Sequence, residues 1–105
     1  MAIQAAGGLL DGCVLSLLAR EDAYGYNLTL QMKSTLGVSE STLYPVMRRL
    51  QTEGCLTVYD VPHKGRNRRY YSITEMGLEK YQNFEAEWAD FKRRVDTILL
   101  GGAGK

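Results

Sequence analysis

Between Ser39 and Gly77 the chain reads SESTLYPVMRRLQTEGCLTVYDVPHKGRNRRYYSITEMG, and this stretch constrains the fold more than any other. Hydroxyls and a carboxylate at Ser39-Glu40-Ser41 favour a helix amino terminus. Leu43, Val46, Met47 and Leu50 then recur at the spacing of one buried helical face. With successive residues turned by about 100°, Ser41, Pro45, Arg48 and Thr52 point the other way, flanked by Tyr44 and Arg49. Pro45 has no N–H to donate, so it is expected in the first turn, which starts the helix near Ser41 or Thr42; Gly54 ends it.

Two β-rich runs follow. From Cys55 to Tyr59, Leu56 and Val58 alternate with Thr57 and Tyr59, and Tyr70 to Ile73 forms the second run. Between them lies VPHKGRNRR, in which Pro62, Gly65 and Asn67 are turn formers, so a hairpin loop is expected with His63, Lys64, Arg66 and Arg68 at its tip. Thr74 can then cap a last helix by accepting the amide of Gly77, with Glu75 in the positively polarised first turn.

Upstream, Leu9, Leu10, Cys13, Val14, Leu17 and Leu18 predict a helix over 9–20, and Leu15 adds a second apolar flank. Such a helix has to be covered on more than one side, in a small domain often by a second subunit. Asp22 is placed to cap a second helix over 23–35, in which Tyr24, Leu28, Met32 and Leu36 share a face, and Gly37 suits the left-handed residue that ends it. Two helices joined by a short turn and followed by a basic hairpin define the fold class: mainly α with a small β-hairpin, a winged helix-turn-helix. At 105 residues one compact unit is expected. The DNA-binding part covers 9–74 and a carboxy-terminal helix 75–100, with disordered ends at 1–8 and 101–105.

That last helix carries Tyr81, Phe84, Trp88, Phe91, Val95 and Ile98 at alternating steps of three and four, a heptad seam of large apolar residues. A seam of this kind seeks a partner helix. The expected partner is a second copy of the chain, with Leu10 and Val14 of the first helix completing the interface. Rings at such a seam either interlock or leave a flat apolar slot, and Trp88 is the residue best placed to line one.

Charge directs the function. The chain has 13 Lys and Arg against 12 Asp and Glu. Six of the cations (Arg48, Arg49, Lys64, Arg66, Arg68, Arg69) lie within 41–74 against Glu53 and Asp60 alone, leaving +4 there and −3 elsewhere. A basic face on a near-neutral protein fits a binder of double-stranded DNA. Cys13 and Cys55, with a single His63, match neither a zinc spacing nor a redox pair and are expected as free packing thiols. With no Gly-rich phosphate loop, metal cluster or acid–base pair, no enzyme activity and no cofactor are expected. The start of the chain resembles neither a signal peptide nor a membrane span, so a cytoplasmic location without membrane association is expected.

DNA recognition needs an element that fits the major groove, side chains that reach base edges and cations for phosphates. Ser41, Thr42, Tyr44 and Arg48 occupy the amino-terminal half of the third helix, the end that recognition helices direct at bases. Arg48 is the candidate base reader, because a guanidinium pairs bidentately with guanine. Ser41 and Thr42, with the free amides of the first turn, suit a phosphate. Lys64 and Arg66 suit phosphate or minor-groove contact from the wing, while Arg68 and Arg69 either do the same or pair with Asp60 or Glu53. The alternative function is a winged-helix module for ligand or protein binding that does not use DNA.

The segments YGYNLTLQMK at 24–33, STLYPVMRRLQTEGCL at 41–56 and GRNRRYYSITEMG at 65–77 together resemble the PadR family of bacterial transcriptional regulators. The resemblance covers most of residues 9–100. It implies a winged-helix homodimer that binds operator DNA and usually represses transcription, released by an effector in some members. It also implies that the last helix crosses to the other subunit and packs on its first helix. A single long carboxy-terminal helix is similar to the smaller subgroup, in which multidrug-sensing members stack flat ligands on a tryptophan of that helix; Trp88 occupies a similar helix and would be the contact for a small aromatic effector.

Overall fold

A computed structural model describes residues 7–101. It contains α1 (Gly7–Arg20), β1 (Ala23–Tyr24), α2 (Gly25–Leu36), α3 (Glu40–Thr52), β2 (Leu56–His63), β3 (Arg66–Ile73) and α4 (Glu75–Leu99). The strands form one antiparallel sheet in the order β1-β3-β2. Of the ends expected to be disordered, residues 1–6 and 102–105 lie outside the described residues, while Gly7 and Gly8 open α1 and Gly101 sits in a turn.

The core forms where the three amino-terminal helices meet. Val14, Leu15 and Leu18 of α1, Leu28 and Met32 of α2, and Leu43, Met47 and Leu50 of α3 are buried together with Cys55 and Leu56. Val46 packs at its edge, so the helical stripe read from the sequence is the face that α3 buries. Val14, expected at a subunit interface, is fully buried in the protomer's own core and offers no outward surface.

Capping explains three of the helix ends and fails at a fourth. The Ser39 hydroxyl accepts the Thr42 amide at α3, and Thr74 accepts the Gly77 amide at α4 while donating to the Gly54 carbonyl. Gly37 ends α2 with φ 71°. Asp22, however, does not cap α2. That helix begins at Gly25, and its first turn has no side-chain cap, because Ala23 and Tyr24 pair as a short strand with Tyr71 and Tyr70. Asp22 instead accepts a 2.6 Å hydrogen bond from the Tyr59 hydroxyl, which pushes the Tyr59 phenol up.

Two further elements differ from the sequence reading. α3 starts at Glu40, so Pro45 falls in its second turn rather than its first, where it leaves the exposed Ser41 carbonyl without an i+4 amide. The hairpin arms run eight residues each, pairing Leu56 with Ile73 through to His63 with Arg66. Only Lys64 and Gly65 form the turn, at φ 54° and 79°, the double left-handed geometry of a type I′ hairpin. The basic segment is therefore mostly strand.

α4 projects from this body. Its 25 residues are about 37 Å long at 1.5 Å per residue, the molecule measures 59 × 27 × 21 Å, and its radius of gyration is 15.7 Å where a compact chain of this size has about 13 Å. Near its start α4 packs closely on α1, with the Phe84 ring over Gly12. Towards its end Ile98 and Leu99 are 80% and 74% exposed, so the apolar end of the helix has no cover within the protomer.

Candidate nucleic-acid interface

The outward face of α3 and the wing together form the basic surface. Tyr44 and Arg48 are exposed on α3, and among the described residues no ion pair engages Arg48, Lys64 or Arg66. Ser41 and Thr42 are exposed at the start of the helix, both with their hydroxyls 3.0 Å from the Ser39 hydroxyl. The Thr42 amide is already taken by Ser39, so Glu40 and Ser41 carry the free amides of this turn.

Strand alternation sorts the wing cations by face. Arg66, Arg68 and Tyr70 share the outer face of β3, and Asn67, Arg69 and Tyr71 share the inner one. On the outer face the Arg68 guanidinium lies 4.6 Å from the centroid of the Tyr24 ring, and Tyr24, Tyr70 and Tyr59 continue as an aromatic row. Arg68 is thus held against β1. On the inner face Arg69 turns toward α3 and lines a polar groove with Tyr44, Arg48, Gln51 and Tyr26. Arg66 is not at the tip but beside it, opposite His63.

Arg49 belongs to a different assembly. It grips the buried Asp11 of α1 with both guanidinium nitrogens, at 2.5 and 3.0 Å, and reaches Glu53 at 3.4 Å. Lys80 of α4 stands 3.6 Å from the same Asp11. The hydrogen bond to Asp11 is the largest cause of a guanidinium pushed further up, against partial burial. A buried carboxylate thereby ties α3 to both α1 and α4, and the Arg49 charge is offset by Asp11 and Glu53. The sequence places Arg49 in the basic patch because its partner lies 38 positions away.

On the α1–α2–α4 side an apolar groove of about 520 Å³ is lined by Leu9, Leu17, Met32, Phe84 and Trp88. Trp88 is 37% exposed and packs at 6.4 Å from Phe91. Cys13 lines the same groove, and burial pushes its thiol and that of Cys55 up, which disfavours the thiolate at both. Among the described residues there is no group of three potential metal ligands, and no helix is long and apolar enough to cross a membrane.

Comparison with known proteins places this geometry in a family. The model for the transcriptional regulator PadR-like family matches residues 14–83. A crystal structure from Streptococcus mutans UA159 superimposes with a TM-score of 0.84 at 32% identity, over 96% of this chain and 95% of that one. The PadR-like transcriptional regulator of Bacillus cereus gives 0.80 at 33% identity, over 88% and 92%. A protein of Lysinibacillus sphaericus, named only as uncharacterised, is 32% identical across 90% of this chain and 91% of its own length.

Proposed function

The chain belongs to the PadR-like family of transcriptional regulators, DNA-binding proteins and not enzymes, and from that premise we propose that it is a homodimeric repressor of a roughly palindromic operator. The observation that carries this reading is the outward face of α3, where Tyr44 and Arg48 stand exposed beside a wing tipped with Lys64. Ser41, Thr42, Tyr44 and Arg48 meet the major groove, Arg48 reads a base edge, and Lys64 and Arg66 hold flanking backbone.

The dimer supplies the spacing. Tyr81, Phe84, Phe91 and Val95 are half-buried in the protomer and Trp88 and Ile98 are exposed, so the seam keeps apolar surface for a second copy, joined by the half-buried Leu10. Two recognition helices then enter successive major grooves about 34 Å apart. A small aromatic effector entering the apolar groove beside Trp88 would change how α4 and α1 sit, and affinity for the operator falls by the ligand's preference for the altered state.

Substitution separates the roles. Arg48→Ala is expected to cost about 1–3 kcal/mol on the operator and to blur sequence preference, whereas Lys64→Ala weakens operator and random DNA alike. Equilibrium titration of both variants against the two kinds of duplex measures this. Equal losses on both duplexes for both variants contradict the assignment, and quenching of Trp88 fluorescence by aromatic ligands with no DNA binding at all would favour a ligand-binding module.

A further inference from the structure

A polar groove of about 460 Å³ runs between the outward face of α3 and the inner face of β3. Tyr44, Arg48 and Gln51 line it from the helix, Asn67 and Arg69 from the wing, and Tyr26 from the start of α2. Arg69 enters from the strand because it shares its face with Tyr71, which packs on the core, while Arg68 lies on the opposite face over Tyr24. The partner of Arg69 is Asp60, directly across the hairpin, with Nε 3.8 Å from a carboxylate oxygen. Their side chains are 62% and 50% exposed. An ion pair so long and so open is weak and easily exchanged.

We propose that this groove seats a DNA backbone phosphate on Arg69, and that Asp60 is the internal anion the phosphate displaces. The proposal rests on the DNA-binding reading above and extends it to two residues outside the base-reading face. The guanidinium offers charge and paired donors to a phosphate oxygen. The hydroxyls of Tyr26 and Tyr44 and the amide of Asn67 line the same groove as neutral donors. Arg48 on the facing wall adds a favourable field while its head group serves the bases. Asp60 acts with the opposite sign: binding has to break its contact with Arg69 and bring a phosphate towards its charge. Asp60 therefore holds down affinity for every sequence equally, a brake on backbone binding that leaves base reading to α3.

A double-mutant cycle tests the exchange on the full chain, with wild type, Asp60→Asn, Arg69→Ala and the double variant titrated against operator and random duplex over a range of salt. Asp60→Asn is expected to tighten both duplexes by roughly fivefold, and Arg69→Ala to weaken both about tenfold while lowering the salt slope by about one. In the Arg69→Ala background the gain from Asp60→Asn shrinks to less than about twofold, the sign of a shared partner. Arg69→Lys keeps the charge and restores the salt slope, which separates loss of the phosphate from loss of the fold. An undiminished Asp60→Asn gain without Arg69 would reduce Asp60 to a distant charge and overturn the proposal, as would an Arg69→Ala protein with wild-type slope. Wild type that binds no duplex overturns the DNA-binding reading itself, whereas wild-type binding with uncoupled substitutions overturns only the phosphate seat.

Discussion

If two copies pair through α4 as proposed, Phe91→Glu is expected to leave the protein monomeric and to weaken binding to a two-half-site operator by about 10²–10⁴-fold, the advantage lost when the second half-site is no longer tethered to the first. Phe91 lies in the carboxy-terminal part of α4, beyond Phe84, which packs on α1. A carboxylate there enters the apolar seam unpaired, once on each subunit, which an association interface does not tolerate. α3 and the wing are remote from the substitution in sequence and keep their own core. Sedimentation therefore reports a monomer with unchanged helix content, and affinity for an isolated half-site stays near that of wild type. A variant that remains dimeric, or one that becomes monomeric while holding the full operator as tightly as before, contradicts the role given to α4.

Gly77→Ala is expected to destabilise the fold by about 3 kcal/mol or more, a cost seen when backbone itself has to move. Gly77 is the one buried residue of α4, and a Cβ there would overlap the Cys55 carbonyl oxygen and press on Ile73. The same carbonyl accepts the Thr74 amide at 3.1 Å, so it cannot retreat without giving up the joint between the sheet and α4. Gly12→Ala provides the contrast: its Cβ would meet only the Phe84 ring, a side chain and not backbone, so a smaller loss is expected there. Urea unfolding monitored by circular dichroism reads the difference. Equal, small losses at both positions would show that the approach of α4 to the Cys55 carbonyl is looser than described.

The parts of this structure that were legible in the sequence are those governed by local rules. Leu43, Met47 and Leu50 announced the buried face of α3 by spacing, and Ser39, Gly37 and Thr74 marked helix ends through their own chemistry. What escaped depends on distant partners. Asp22 looks like a cap until β3 claims Ala23 and Tyr24 as a strand. Arg49 looks like a surface cation until Asp11 is brought beneath it, and Val14 looks like interface until α2 and α3 enclose it.

The length of the wing is hidden in the sequence for a physical reason. Its arms are solvent-exposed, so Asp60 to His63 and Arg66 to Arg69 need no apolar alternation, and a Lys-Gly turn gives a weaker signal than Asn-Gly. Reading them as loop concealed the one feature that separates Arg68 from Arg69, since parity along a strand has meaning only once the strand is known to continue. Counting back from the core residues Ile73 and Tyr71 would have placed Arg69 on the side of α3. Of the candidate contacts, Arg48 and Tyr44 needed only a helical wheel, whereas the groove they share with Arg69 needed the sheet.

The most direct test of the central claim is the binding of wild-type protein to duplex fragments tiled across the region upstream of its own coding sequence, repeated between about 50 and 200 mM salt. If the exposed face of α3 and the wing hold DNA, one fragment is protected as a roughly symmetric site, and its affinity falls about 10³–10⁵-fold over that range, because neutralising some 6–10 phosphates releases counterions that added salt opposes. Affinity that stays flat with salt and prefers no fragment would contradict the assignment of this surface to sequence-specific DNA.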